Sequence, residues 1–341
     1  MKKILTTAVQ ILITVLLLLW IFHDAEKRQK MFYALQTAEF IWIFPGLICV
    51  GIALLLQTER WRILLKVQRI PLGWWRTLRL NMVGVFFNLF LLGATGGDIV
   101  KIFYLMREVP DKKSSIFLSV VVDRVLGLIG LILVAIVLSF WRFNVLYHHE
   151  ETRRLLGVLM LILCSVLAIL VVAFTIERLG WIDRLPKWIP LRMYIIELGT
   201  AFSLYARRTG AILRALVISV AGHLFLFSSY FFASLAFRSH LSLLDVFSVL
   251  PVVLTMASLP ISLSGLGVRE GLFETMLYVL YGTPGAIAVL ISVTGFLLNM
   301  FWSLVGGVVY LFYRPSRAEN LHIKDMTQQV HDLEKRFDPS R

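Results

Sequence analysis

The chain has 341 residues, of which 58% are hydrophobic and 16% are charged. Soluble globular proteins are usually nearer half apolar and a quarter charged, so the composition excludes an ordinary soluble domain. The net charge is +13, from 34 Lys and Arg against 21 Asp and Glu. The basic excess lies in short stretches between apolar runs, which is the positive-inside pattern of membrane proteins and argues against nucleic-acid binding.

Long apolar runs predict membrane-spanning helices. Residues 4–22 carry no charge, and as a helix they reach about 28 Å, close to the ~30 Å hydrocarbon core. Later runs of this kind are 40–56, 115–140, 155–174, 211–237 and 284–313. The sequence therefore predicts an all-α integral membrane protein, a polytopic helical bundle with about six full spans. We expect one membrane domain over residues 1–313 and a polar cytoplasmic tail over 314–341.

Basic connections separate several of these runs. In residues 58–79, Lys and Arg outnumber the acidic residues, and Trp61, Trp74 and Trp75 lie among them. Trp beside Lys or Arg is typical of anchors at headgroup level, so we expect this stretch at the cytoplasmic surface. A second basic connector covers residues 177–214.

Two further segments, 80–106 and 246–281, are apolar but interrupted by glycine-rich sequence. The basic loops all fall on one side only if 80–106 enters from the cytoplasm and returns, and 246–281 enters from outside and returns. The pattern predicts two re-entrant helical hairpins related as an inverted repeat, an arrangement found in transporters. Both chain termini would then lie on the cytoplasmic side of the cell membrane.

Glycines mark the tip of each predicted hairpin: Gly96 and Gly97 in the first, Gly265 and Gly267 in the second. Backbone that turns at membrane depth must be buried in protein or line a wet cavity. The helix after each tip presents unpaired N–H groups, which favour anions such as phosphate. The alternative is that these glycines only allow helices to pack or loops to turn.

Two adjacent charges, Asp123 and Arg124, lie inside an apolar run. Neighbours on a helix point about 100° apart, so each is expected to find another partner. The candidate partners are Asp98, Lys101, Arg269 and Glu270. Charges inside a membrane usually mark a binding site or pathway, the alternative being an ion pair that clamps helices.

Arginine holds phosphate in a planar fork, so Arg124 and Arg269 are predicted to bind a lipid headgroup. Asp98, Asp123 and Glu270 would orient these cations, with Lys101 nearby, or contact a cationic headgroup. The sequence contains no nucleophile–base pair, metal-ligand cluster or nucleotide-binding loop, so we expect no enzyme activity, no metal and no cofactor. The glycines near 265–271 lack the βαβ context of a dinucleotide site.

Three motifs together resemble the membrane domain of lysylphosphatidylglycerol synthases, a family also described as flippase-like. They are Gly93–Lys101, the "DR-x-x-G" helix at Val122–Gly127, and the "P-x-S-x-x-G-x-G-x-R-E" motif within Leu259–Gly271. The resemblance covers about residues 5–315. It implies a lipid-translocating module. Two-domain relatives carry a soluble aminoacyltransferase domain after the membrane part, and only a short tail follows here.

The leading hypothesis is a flippase that moves a phospholipid (an aminoacylated one included) or a polyprenyl-phosphate lipid between leaflets. Without an ATP site, movement would be downhill or coupled to an ion. The alternatives are a membrane enzyme acting on a lipid headgroup, and a non-transporting partner of a synthase or glycosyltransferase. The expected partners are membrane lipids, and further candidates are a separately encoded lipid-modifying enzyme and a second copy of the chain.

Overall fold

The structure is a computed structural model that describes residues 2–90, 96–141, 207–258 and 265–313, with single positions between them at 150, 153–154, 157, 161, 165, 204–205 and 262. Every regular element in these residues is helical, and they contain no strand. This confirms the predicted all-α class. The predicted tail at 314–341 and most of the connector at 177–214 lie outside the described residues.

Ten α-helices follow one another along the described part of the chain. They are α1 Lys2–Phe22, α2 Ala25–Gln36, α3 Ile43–Val67, α4 Trp74–Phe90, α5 Gly96–Glu108, α6 Lys113–Trp141, α7 Thr209–Ala236, α8 Leu243–Ala257, α9 Val268–Tyr281 and α10 Gly285–Phe312. Short 3-10 helices at Phe40–Trp42 and Pro110–Lys112 lead directly into α3 and α6.

Helices α3, α6, α7 and α10 are long and apolar enough to cross a membrane. The qualifying stretches are Phe40–Val67, Pro110–Leu138, Thr209–Ala236 and Gly285–Phe312, each of 28 or 29 residues. They confirm four of the six predicted spans. The first predicted span corresponds to α1, Lys2–Phe22, whose described side chains at Leu12–Phe22 form an apolar stretch, and most of the span predicted at 155–174 falls outside the described residues. The chain is therefore a multi-pass helical membrane protein.

Helix α3 extends further than the sequence predicts. The helix is continuous from Ile43 to Val67, through the first part of the stretch predicted to be a surface connection. Trp61 is fully buried, and its Nε1 donates to Ser119 Oγ at 3.2 Å. The interpretation of Trp61 as a headgroup-level anchor is therefore wrong, because the helical period turns it inward. Trp75 is 70% exposed, as an anchor requires.

Helix α7 packs antiparallel against α3. At one end, the backbone N–H of Glu39 donates to the carbonyl of Ala236 at 2.8 Å. At the other end, Tyr205 Oη donates to the carbonyl of Leu64 at 3.2 Å. Two long apolar helices are thus held side by side along their length.

Helices α4 and α5 form a short pair of 17 and 13 residues. Their lengths are about 26 and 20 Å, less than the ~30 Å core. At one end of the pair, the backbone N–H of Gly97 donates to Asn88 Oδ1 at 2.8 Å. At the other end, Lys112 Nζ donates to the carbonyl of Arg69 at 2.5 Å. The residues that precede α4 and follow α5 therefore lie together.

Helices α8 and α9 form a second short pair, of 15 and 14 residues. Between them Gly265 has a φ of +74°, and a Cβ there would lie 2.7 Å from the carbonyl oxygen of Ala257. Only glycine fits this turn without strain. Near the other end, Ser248 Oγ and Tyr281 Oη share a hydrogen bond of 2.7 Å.

The two short pairs open at opposite ends of α10. Helix α9 ends at Tyr281, shortly before α10 begins at Gly285. At the far end of α10, Tyr313 Oη donates to Glu108 Oε1, at the end of α5, at 3.0 Å. Because α10 is long enough to cross a membrane, the open ends of the two pairs are separated by the length of that helix.

Candidate functional site

A two-point salt bridge ties α3 to α6 inside the bundle. Arg60 Nε lies 2.7 Å from Asp123 Oδ1, and Arg60 Nη2 lies 3.2 Å from Asp123 Oδ2. Arg60 Nη1 also donates to Ser219 Oγ of α7 at 2.8 Å. The side chains of the pair are 8% and 2% exposed. Arg60 is therefore the intramembrane partner that Asp123 requires, and it was not among the predicted site residues.

A second carboxylate, Asp98, lies in the first turn of α5 and serves two cations. Lys101 Nζ lies 2.9 Å from Asp98 Oδ1, and Arg124 Nε of α6 pairs with Asp98 Oδ2. Lys101 is buried, and its ammonium lies 4.7 Å from the ring centroid of Trp61, a cation–π contact. Asp98 thus connects the short α4–α5 pair to the long helix α6.

These five residues, here called the polar cluster, carry three cations and two carboxylates. They are Arg60, Asp98, Lys101, Asp123 and Arg124. One positive charge remains in excess. Of the three cations, Arg60 and Lys101 are buried, whereas the Arg124 side chain is 43% exposed. The guanidinium of Arg124 is therefore the cation of the cluster that an anion can reach most easily.

The polar cluster borders a cavity of about 520 Å³ between α3, α6, α7 and α10, which we call the central cavity. Arg60 and Arg124 both line it. Other polar lining residues are Gln57, Ser219, His223, Ser258, Asn299 and Ser303. His223 Nε2 lies 2.9 Å from the carbonyl of Gly127 and so also joins α7 to α6. Polar side chains thus line part of a cavity between helices whose composition is otherwise apolar.

Arg269 and Glu270 form a separate buried ion pair at the start of α9. Arg269 Nε lies 2.9 Å from Glu270 Oε1, and Glu270 Oε2 accepts the backbone N–H of Gly267 at 2.7 Å. The Arg269 guanidinium also lies 4.6 Å from the ring centroid of Phe296 on α10. Adjacent side chains meet here because the Glu270 carboxylate folds back over the N-terminal turn, where the helix dipole favours it.

A family comparison covers nearly the whole chain. Residues 7–337 match the family described as "Lysylphosphatidylglycerol synthase TM region". The chain belongs to this family. A search of curated proteins found no match. The resemblance predicted from the three motifs is therefore confirmed, and the matched residues contain the polar cluster, the central cavity and the Arg269–Glu270 pair.

The predicted site residues fall into two groups. The polar cluster brings Asp98, Lys101, Asp123 and Arg124 together, as the need for oppositely charged partners predicts. Arg269 and Glu270 pair with each other at the start of α9.

The predicted glycines lie at the starts of the second helix in each short pair. Gly96 and Gly97 begin α5, and a Cβ on Gly97 would overlap the carbonyl of Gly84 in α4. Gly265 and Gly267 precede α9 with φ of +74° and +83°. The close approach of α4 explains the glycine at position 97, and positive φ explains Gly265 and Gly267, so none of these three requires a ligand. Gly96 has neither explanation. The rest of the two predicted tips, at 91–95 and 259–264 apart from residue 262, lies outside the described residues.

Proposed function

We propose that this chain moves a lipid between the leaflets of a membrane by passing its headgroup through the central cavity. The observation that carries the proposal is the half-exposed Arg124 guanidinium at the wall of that cavity, beside the buried Arg60. A guanidinium matches the geometry of a phosphate oxygen pair. The family to which the chain belongs supports a role in lipid metabolism.

The size of the central cavity suits a headgroup rather than a whole lipid. Sites for small ligands usually measure about 300–1,000 Å³, and this cavity measures about 520 Å³. The acyl chains would remain in the bilayer while the headgroup occupies the cavity. Transfer of a polar group into hydrocarbon without hydrogen bonds costs several kcal/mol. Polar walls such as Ser219, His223 and Asn299 would lower that cost.

The charge of the polar cluster favours an anionic headgroup. Its three cations exceed its two carboxylates by one, so a single phosphodiester would neutralise the group. When a phosphate binds, Arg124 would exchange part of its ion pair with Asp98 for contacts to the phosphate oxygens. An aminoacylated lipid would add an ammonium group, for which Asp98 is the nearest carboxylate to the half-exposed cation.

We further propose that the α4–α5 and α8–α9 pairs are re-entrant hairpins that enter from opposite faces. Each helix is shorter than the hydrocarbon core. The contact between Lys112 and Arg69 supports a common face for the two ends of the first pair. The contacts of Tyr281 and Tyr313 at the two ends of α10 support opposite entry. Broken helices meeting inside the bilayer are typical of transporter sites.

A reconstituted translocation assay tests the proposal. The chain would be placed in vesicles that contain fluorescent phosphatidylglycerol, and loss of fluorescence on adding dithionite would report lipid that reaches the outer leaflet. Arg124→Gln is expected to slow translocation at least tenfold, and Arg124→Lys less. Arg79→Gln, which removes an exposed charge on α4, is the control. Equal rates for wild type and Arg124→Gln would contradict this site.

A second candidate function follows from the family description, which names the membrane region of a synthase. In this alternative the chain would hold a lipid for a separately encoded enzyme without moving it across the bilayer. Vesicles containing the wild-type chain would then show no translocation above empty vesicles. Phosphatidylglycerol would still bind, and the binding would weaken in Arg124→Gln.

A further inference from the structure

A second and larger cavity lies at the C-terminal end of α3, against the start of α7. It measures about 1100 Å³, and we call it the basic cavity. Five basic residues line it: Lys66, Arg69, Arg207, Arg208 and Arg214. Among its described lining residues, Glu59 is the single carboxylate. This cavity is distinct from the central cavity, since neither Arg60 nor Arg124 lines it.

Glu59 does little to neutralise the basic cavity, because its carboxylate already holds another arginine. Arg62 Nε lies 2.7 Å from Glu59 Oε2, and Arg62 Nη2 lies 2.6 Å from Glu59 Oε1. The five basic lining residues are all exposed, and the described residues offer none of them a carboxylate within salt-bridge distance. Several like charges around one concavity raise its potential, and a bound anion would relieve their repulsion.

The backbone at the edge of the basic cavity is also unusual. Arg69 has a φ of +57°, a conformation that residues with a Cβ adopt rarely. Lys112 Nζ donates to its carbonyl at 2.5 Å, and so ties this turn to the end of the α4–α5 pair. Uncommon backbone conformations of this kind concentrate at ligand sites.

The basic cavity adjoins the central cavity. Ile218 of α7 lines both. On α3, Glu59 lines the basic cavity and its neighbour Arg60 lines the central one. Lys66 follows Arg60 by six residues, or about 9 Å along the helix. The two cavities therefore share part of one wall.

The positive-inside rule alone does not explain why five basic residues line one cavity. Exposed basic residues that follow that rule also occur on nearby helices, as Arg79, Arg107 and Lys113 do, and these line neither cavity. Membrane orientation requires only that such charges lie on one side. It does not require five of them to surround a single concavity.

We infer that the basic cavity binds a phosphate group of more than one negative charge, such as a diphosphate or a phosphomonoester. Arginine forks and a lysine point charge suit that chemistry. The source is either a lipid headgroup at the membrane surface or a soluble diphosphate. The inference goes beyond the proposed function, because binding here requires no passage through the central cavity.

The experiment measures binding by the full chain in phosphatidylcholine nanodiscs. One arm titrates inorganic pyrophosphate by calorimetry. The other arm adds dioleoyl phosphatidic acid to the nanodiscs and counts retained lipids by native mass spectrometry. The test variant is Arg207→Gln/Arg208→Gln/Arg214→Gln. The control, Arg79→Gln/Arg107→Gln/Lys113→Gln, also removes three charges, all from exposed positions outside the cavity. Lys66→Gln is a milder second variant.

We expect the test variant to bind at least tenfold more weakly than wild type, and the control to bind as wild type does. A loss confined to phosphatidic acid identifies a lipid ligand, and a loss confined to pyrophosphate identifies a soluble one. If neither probe binds wild type, or if test and control variants lose binding equally, the inference is wrong. Because these readouts are equilibrium binding, they can succeed even if Arg124→Gln leaves translocation unchanged.

Discussion

Arg60 on α3 and Asp123 on α6 form a salt bridge through two pairs of atoms, at 2.7 and 3.2 Å, inside a membrane-embedded bundle. Removing one partner of a buried pair leaves an uncompensated charge and typically costs about 3–5 kcal/mol. Replacement of both partners by apolar residues avoids that cost. The pair should therefore show strong coupling between its two positions.

We predict that Asp123→Leu and Arg60→Met each lower the unfolding temperature markedly, and that the double variant Arg60→Met/Asp123→Leu recovers more than half of the summed loss. Thermal unfolding in detergent, followed by intrinsic fluorescence, measures this. Arg79→Gln serves as a surface control and should unfold as wild type does. Additive losses in the double variant would mean that the bridge contributes no coupling.

Arg124 and Arg269 should respond differently to substitution. Arg269 is buried against Glu270 and Phe296, so Arg269→Gln leaves a buried carboxylate and should destabilise the protein by about 3 kcal/mol. Arg124 is half exposed, so Arg124→Gln should change stability by less than about 1 kcal/mol while slowing translocation. Parallel unfolding and dithionite assays separate the two effects. A stable but inactive Arg269→Gln would instead place Arg269 in the transport site.

The close approach of α4 and α5 depends on a residue without a side chain. A Cβ on Gly97 would overlap the carbonyl of Gly84, so Gly97→Ala should push the two helices apart and destabilise the protein by about 1–3 kcal/mol. Gly271→Ala in α9 is the matched control, because a Cβ there meets no atom within 4 Å. Better helix propensity should leave this control neutral or slightly more stable. Equal unfolding temperatures for the two variants would rule out tight packing at Gly97.

Cysteine labelling tests the two re-entrant hairpins. In a Cys49→Ser/Cys164→Ser background, single cysteines at Gly73 and Asp111 should react with an impermeant maleimide from the same face of the membrane. A single cysteine at Pro284 should react only from the opposite face. Right-side-out and inverted vesicles provide the comparison. Labelling of Gly73 and Asp111 positions from different faces would mean that α4 and α5 together cross the bilayer.

Much of the fold could be predicted because an apolar run of suitable length has few alternatives to a spanning helix. The sequence also predicts that Arg124 pairs with an acidic residue, and Asp98 is among the candidates. A charge inside an apolar helix needs an opposite charge, and the sequence offers few such residues at membrane depth. The length of the apolar runs thus predicts the helical class and four spans, and the need to pair buried charges predicts most of the polar cluster.

Arg60 could not be found in this way, because local composition placed it in a basic surface stretch. The signal that could have indicated a buried environment is periodicity: Leu54, Trp61 and Leu65 share an apolar face of α3, which shows that the embedded helix continues past the end of the uncharged run and so includes Arg60. The pairing of adjacent Arg269 and Glu270 was also missed. It depends on a carboxylate that folds back to Gly267, and side-chain conformation is not encoded in spacing.

The ammonium of Lys101 over the ring of Trp61 gives this protein an internal optical probe. Indole emission shifts with the local electric field, and this indole is sealed from solvent beside a carboxylate-bound cation. A ligand that draws Arg124 away from Asp98 would alter the charge balance around Lys101, and with it the colour of the emitted light. In a variant that retains Trp61 as its sole tryptophan, occupancy of the neighbouring cavity becomes visible without any attached dye.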